Sequence, residues 1–315
     1  MTFTRYALNK LRAVHARLLP YAATPPAPDL AGEAAQDCIR NGLNGDKPFM
    51  VARFGSIELD CITKYRCSQK GISKYTSYVR GTTNNYRIDD ASVTEMAMQP
   101  GFFPSNIDNL KRFSELMIAD IPYVDVLGSW LVHEVHFREE LSNAVTVRLA
   151  DIEPYYYPNP WSDALRGKKV LLVHPFEQSI RAQYLKREKI FENPNVLPEF
   201  DLRTIKAVQS VMGTETPFKD WFQALDAMKK QIDEADFDIA IIGCGAFGFL
   251  LAAHVKRMGR KSVHMGGATQ LLFGIFGRRW SDNKRIMEMV NKHWTRPTPE
   301  ETPKEYKKAE DGAYW

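Results

Sequence analysis

The chain has 315 residues, 44% hydrophobic and 25% charged, with 42 Lys and Arg against 38 Asp and Glu and a net charge of +4. That composition supplies ample apolar material for a core and excludes disordered, collagenous and coiled-coil classes. The basic excess is mild and no cationic stripe interleaves with aromatics, so nucleic acid is not an expected partner while a phosphorylated small molecule is.

Cys38, Cys61, Cys67 and Cys244 fit neither a secreted disulfide framework nor a CxxC metal spacing, which points to a reducing, cytoplasmic setting. No run of about 18 apolar residues is present, so no span of a membrane is expected. Residues 1–28 read as a basic amphipathic arm followed by a linker with four prolines between Pro20 and Pro28. Phe3, Ala7, Leu11, Val14 and Leu18 fall on one helical face, with cations mostly between them. Such an arm either lies on anionic lipid headgroups or packs as a surface helix on its own domain.

One main α/β domain is expected over residues 29–294. A helix from Asp29 to about Asn41 leads to a buried strand, Phe49 to Ala52, then to the turn Arg53-Phe54-Gly55 and a second helix from Ser56. Residues 68–106 are polar and turn-rich and read as a loop-rich insertion that can wall a cleft. A helix from Ile107 to about Ala119 precedes strand-like runs at Tyr123 to Leu127 and Ala144 to Leu149. From Lys168 the pattern repeats: strand Val170 to Val173, helix Glu177 to Phe191, strand Leu202 to Ile205, a helix striped by Trp221, Leu225, Met228 and Ile232, strand Ile239 to Ile242, helix Ala246 to Met258, strand Lys261 to Met265. Alternating strands and helices predict a Rossmann-like, doubly wound, mostly parallel sheet with helices on both faces. Residues 295–315, rich in Pro, Lys and Glu, read as a loosely ordered tail.

Four turns collect at the carboxyl edge of such a sheet, where ligands bind. Gly243-Cys244-Gly245-Ala246-Phe247-Gly248 is a GxGxxG between strand and helix, a pattern that brings main-chain N–H groups close to a diphosphate. The strand after it ends in His264 where a ribose-binding acid would stand, which weighs against a nicotinamide or S-adenosylmethionine site. His174 ends a strand, and Ser179 and Arg181 follow in the next helix as candidate ligands for an anionic oxygen. Arg53 and Glu58 leave one turn together, so a cation and a carboxylate can converge, or Glu58 can simply complement the helix dipole. Gly266 and Gly267 form the fourth turn. His133 and His136 lack the HExxH spacing of a zinc site, and no GxSxG elbow is present.

Arg53-Phe54-Gly55-Ser56-Ile57-Glu58 resembles the RxGxxE signature of bacterial GT-D type glycosyltransferases, and the segments Lys168 to Tyr184 and Ile241 to Trp280 are similar to proteins of surface-polysaccharide gene clusters. The resemblance implies a nucleotide-diphosphate sugar donor, usually UDP-linked, and a glycan or lipid-linked acceptor. It implies catalytic roles for Arg53 and Glu58 and places Gly55 in the signature; the four turns at one sheet edge then put donor binding at Gly55, Ser56, His174, Ser179, Arg181, Gly243, Gly245, Gly248, Gly266 and Gly267. It also implies Mn²⁺ or Mg²⁺ at Glu58, although Ser56 stands where other members carry the first acid of a DxE, which weakens a hard-cation site. The alternatives are an NAD- or S-adenosylmethionine-dependent Rossmann enzyme using the late GxGxxG, and a non-catalytic nucleotide-sugar-binding scaffold.

Overall fold

The short apolar runs between glycine turns become seven strands of one sheet in a computed structural model, which describes residues 3–19, 24–303 and 312–315. Residues 1–2, 20–23 and 304–311, which include part of the expected linker and tail, lie outside the described residues. The elements in chain order are α1 (Phe3–Leu18), α2 (Glu33–Asn44), β1 (Phe49–Ala52), α3 (Ser56–Ser68), α4 (Ser73–Val79), α5 (Asp90–Met98), α6 (Ile107–Asp120), β2 (Val126–Ser129), β3 (Val145–Arg148), β4 (Lys169–His174), α7 (Glu177–Tyr184), β5 (Asp201–Lys206), α8 (Trp221–Glu234), β6 (Ile239–Ile242), α9 (Phe247–Arg257), β7 (Lys261–His264) and α10 (Lys284–Met287), with several 3₁₀ turns between them.

The strand order is β3-β2-β1-β7-β6-β4-β5, and every neighbouring pair is parallel. Alternate residues of each strand feed two separate core layers, as the pleat requires. Met50, Ala52, Leu171, Val173, Ala240 and Ile242 pack against α3, α6, α8 and α9, while Val51, Val170, Leu172, Ile239, Ile241 and Val263 pack against α2, α7 and irregular chain. Both faces are therefore buried, which is why these strands are continuous apolar runs rather than alternating ones. The expected doubly wound α/β fold is what the chain adopts.

Helix starts follow local chemistry. Asp89, Asn106 and Asp220 each accept a hydrogen bond from the backbone N–H three residues on, opening α5, α6 and α8. The stripe Trp221, Leu225, Met228 and Ile232 is buried along α8. Residues 68–106 hold two helices rather than loop alone. Their periodicity is faint because α4 buries no residue and α5 only Ser92 and Met96. Helix α7 stops at Tyr184, short of Phe191. The chain tightens beyond it so that Ile190 enters the core and its carbonyl accepts from Trp294 Nε1 at 2.9 Å.

The end of the chain departs most from expectation. Thr295 bridges to Ile275, Glu301 is buried, and Trp315 packs edge-on to Phe176 with ring centroids 6.0 Å apart. Arg278 N donates to Trp315 O at 3.1 Å and Trp315 Nε1 donates to Glu301 O at 3.2 Å. The described residues of 295–315 are thus part of the folded domain, because two aromatics and a capping carboxylate outweigh the polar composition around them. No helix among the described residues is long and apolar enough to cross a membrane.

Candidate functional site

β4 and β6 are neighbours whose connections leave in opposite directions, β4 outward to β5 and β6 inward to β7. In open α/β sheets this switch point opens a crevice beyond the carboxyl ends of the strands. A cleft of about 270 Å³ lies there. Arg53, Gly55, Ser56 and Glu58 after β1, His174 at the end of β4, Gly243 and Gly245 after β6, and Gly266 and Gly267 after β7 all line it. Nine of the twelve positions expected from sequence thus converge in one place.

Arg53 is the centre of the arrangement. Its guanidinium carbon lies 4.9 Å from the Trp130 ring centroid, and that ring is fixed by Nε1 donating to Phe54 O at 3.1 Å. Gly266 has φ of +60°, and a Cβ there would stand 3.1 Å from Arg53 Nη1. A left-handed glycine is what lets this turn lie against the guanidinium. Arg53 Nε is buried and has no hydrogen-bond partner. Burial pulls the Arg53 pKa down, and Glu58, Tyr314 and Glu153 oppose it, so the group remains cationic in a partly dehydrated setting. Glu58 in the first turn of α3 folds back over Gly55, where a Cβ would collide with its carboxylate.

His174 and His264 are neutral. Burial pushes each pKa down to about 3, for His264 with help from Arg53. His174 Nδ1 accepts from Phe176 N at 3.0 Å, which assigns the ring proton to Nε2. His264 Nδ1 lies 3.1 Å from Ile242 O and so carries its proton on that side. Cys244 also lines the cleft, and burial pushes its thiol pKa up, which makes it a poor nucleophile.

Three expected residues lie elsewhere. Ser179 is buried at the start of α7, where Glu301 occupies the position expected for a ligand: its carboxylate accepts from Gln178 N at 2.7 Å, from Ser179 N at 3.2 Å and from Ser179 Oγ. Arg181 is on the outer side of α7 and mostly exposed, its Nε donating to Glu177 at 2.9 Å and Thr204 Oγ1 at 2.7 Å. Gly248 gives room to the His264 ring, where a Cβ would collide. The third glycine of GxGxxG therefore serves packing between α9 and β7.

The cleft also contains residues that sequence reasoning missed. Glu153 follows β3, and burial raises its pKa, with Tyr155 OH donating to it at 2.6 Å and Arg53 nearby. An acid just past a strand end was the available signal. Trp130 directly follows β2, and nothing local in the sequence announces its place over Arg53. Arg279 and Tyr314 form part of the wall, the Arg279 Nη1 donating to Tyr314 OH at 2.6 Å. Among the described residues no group of three or more His, Cys, Asp or Glu side chains is placed to hold a metal ion. The donor set of Glu58 and Glu153 beside Arg53 does not fit a cation that needs many oxygen ligands.

No protein-family model matches the chain, and no curated protein matches it. Among solved structures, a selenomethionine-substituted domain of unknown function 1792 is similar at 12% identity, with a TM-score of 0.37 and 83% of each chain covered. That likeness is too distant to assign a family or an activity.

Proposed function

We propose that the protein is a glycosyltransferase that takes a sugar from a nucleotide-diphosphate donor and passes it to a hydroxyl of a glycan or lipid-linked acceptor. The observation that carries this reading is the Arg53 guanidinium, stacked on Trp130 under a glycine turn with its buried Nε unpartnered, in a cleft that also holds two carboxylates. The RxGxxE resemblance of the same turn supports it. A departing diphosphate needs positive charge fixed in advance, and a dehydrated guanidinium supplies it at low reorganisation cost.

In this reading the acceptor oxygen bonds to the anomeric carbon while the bond from that carbon to the donor phosphate oxygen breaks. The electron pair leaves with the nucleoside diphosphate, which Arg53 neutralises. The acceptor proton passes to Glu58 or Glu153, the latter made more basic by burial. The turns at Cys244 to Gly245 and Gly266 to Gly267 would offer main-chain donors to the phosphates, Gly243 N itself being held by Val173 O at 3.0 Å. The residues present do not call for a metal, and no step is assigned to one.

The test is a thermal-shift panel of the purified protein with UDP, GDP, CMP, their sugar conjugates, NAD(H) and S-adenosylmethionine, each with and without Mn²⁺ or Mg²⁺. A ligand at about 100 times its dissociation constant stabilises by roughly 2.7 kcal/mol, a readable shift. A selective response to a nucleotide sugar, followed by release of nucleoside diphosphate with acceptor present, is the expected result. A response confined to NAD(H) or S-adenosylmethionine overturns the proposal, and binding without turnover reduces it to a scaffold.

A further inference from the structure

Helix α1 docks on the domain by its polar side. Arg12 Nη1 donates to the carbonyls of Tyr78 at 3.0 Å and Thr83 at 2.8 Å, and its guanidinium lies 4.6 Å from the Tyr78 ring centroid. Asn9 accepts from Tyr78 OH at 2.6 Å, Arg5 pairs with Asp89 at 3.5 Å, and Leu8 is buried in that contact, beside Cys67 and Tyr86. At about 100° per residue these positions share one side of the helix, and the stripe Ala7, Leu11, Val14 and Leu18 lies about a third of a turn away. That stripe faces outward: Leu11 is 56% exposed, Val14 54% and Leu18 73%.

An amphipathic helix that packs on its own domain ordinarily buries its apolar stripe, so this orientation leaves the stripe for something else. Charge identifies what. The helix carries no Asp or Glu, and exposed Lys10 and Arg17 flank the stripe along its free edge. Two copies meeting through α1 would oppose the same cations with no acid on either helix to offset them. An anionic bilayer surface accepts both parts at once, taking the aliphatic side chains at the acyl boundary and the cations at the headgroups.

We propose that α1 is an interfacial anchor that lays Leu11, Val14 and Leu18 into the surface of an anionic lipid bilayer. The anchor is independent of the reading of the cleft. It requires no membrane span and holds the domain at the bilayer by a helix already docked through Arg12 and Leu8.

Cosedimentation of the full chain with phosphatidylcholine vesicles, with and without phosphatidylglycerol, tests it. Binding is expected with the anionic vesicles, at least about tenfold stronger than with the neutral ones and weakening as salt is raised. Leu11→Glu combined with Leu18→Glu should abolish it, and Lys10→Glu combined with Arg17→Glu should weaken it by about tenfold or more. Both variants should melt with the wild type, since these side chains are exposed. Absence of wild-type binding, or equal binding by the variants, overturns the proposal. So does a dimer in sedimentation equilibrium that Leu11→Glu dissolves while vesicles remain unbound, which would give the stripe to a second copy.

Discussion

The turn from β1 into α3 and the turn from β4 into α7 are alike in sequence logic and opposite in outcome. Each leaves the carboxyl end of a buried strand and opens a helix, and each carries an arginine with a polar neighbour. At α7 the chain supplies its own anion: the Glu301 carboxylate takes Gln178 N, Ser179 N and Ser179 Oγ, and Arg181 turns away to Glu177. At α3 the Glu58 carboxylate, from the helix's own first turn, folds back over Gly55, and Arg53 is held under Gly266 with its Nε unpartnered. The first turn keeps its cation inside the cleft, whereas the second has its helix start filled by a carboxylate from far along the chain, which takes the place an anionic ligand would need.

The largest effect expected from breaking this contrast is at Arg53. Arg53→Ala should lower transfer by about 10²- to 10³-fold, the range found when one preorganised charge-stabilising donor is removed. Arg181→Ala, made on an exposed ion pair, should leave transfer within about twofold and stability within about 0.5 kcal/mol. Steady-state kinetics and chemical denaturation on the two variants check both. Equal losses would dissolve the distinction between the turns.

Glu301→Ala addresses the filled site. Its loss leaves buried donors at the start of α7 without an acceptor, so urea denaturation should register a destabilisation of about 2–3 kcal/mol. Added inorganic phosphate should recover part of that in the variant and not in the wild type. A variant as stable as the wild type would show that the carboxylate is a bystander.

His174 ends β4 at the second of these turns and sharpens the comparison through pH. Its folded pKa, about 3, is below the ordinary 6.5. The unfolded chain therefore binds a proton that the folded chain does not. Stability from keeping this ring neutral is fully present above about pH 6.5 and is lost as pH falls from there toward 3. His174→Gln should flatten the fall in unfolding free energy between about pH 6 and pH 5 by up to about 1.4 kcal/mol per unit. Glu134 and Glu153, whose pKa values are raised by burial, act in the other direction and gain stability as they protonate. An unchanged slope would mean that His174 titrates in the folded protein.

Much of the sheet was legible because its strands are buried on both faces. Phe49 to Ala52 and Ile239 to Ile242 read as continuous apolar runs bounded by glycine turns, and both are strands over those residues. The end of α7 was not legible, because Ile190 leaves the helix to reach Trp294, more than a hundred positions away. The tail reads as loose for a similar reason: Tyr314 and Trp315 look like aromatics ending a polar stretch until Phe176 is placed beside Trp315.

The site divides in the same way. Local chain chemistry determined that strands end in glycine or charged turns, and the parallel α/β order determined that those turns share one edge, since every strand of such a sheet points the same way. Periodicity also placed Leu11, Val14 and Leu18 on one face of α1. Only the tertiary structure decided which turn Glu301 filled and which face of α1 was turned outward. Those choices rest on contacts between distant residues, Glu301 with Ser179, Gly266 with Arg53 and Arg12 with Tyr78. A neighbour brought in by the fold can satisfy a donor or leave it bare, and nothing in the local sequence records which.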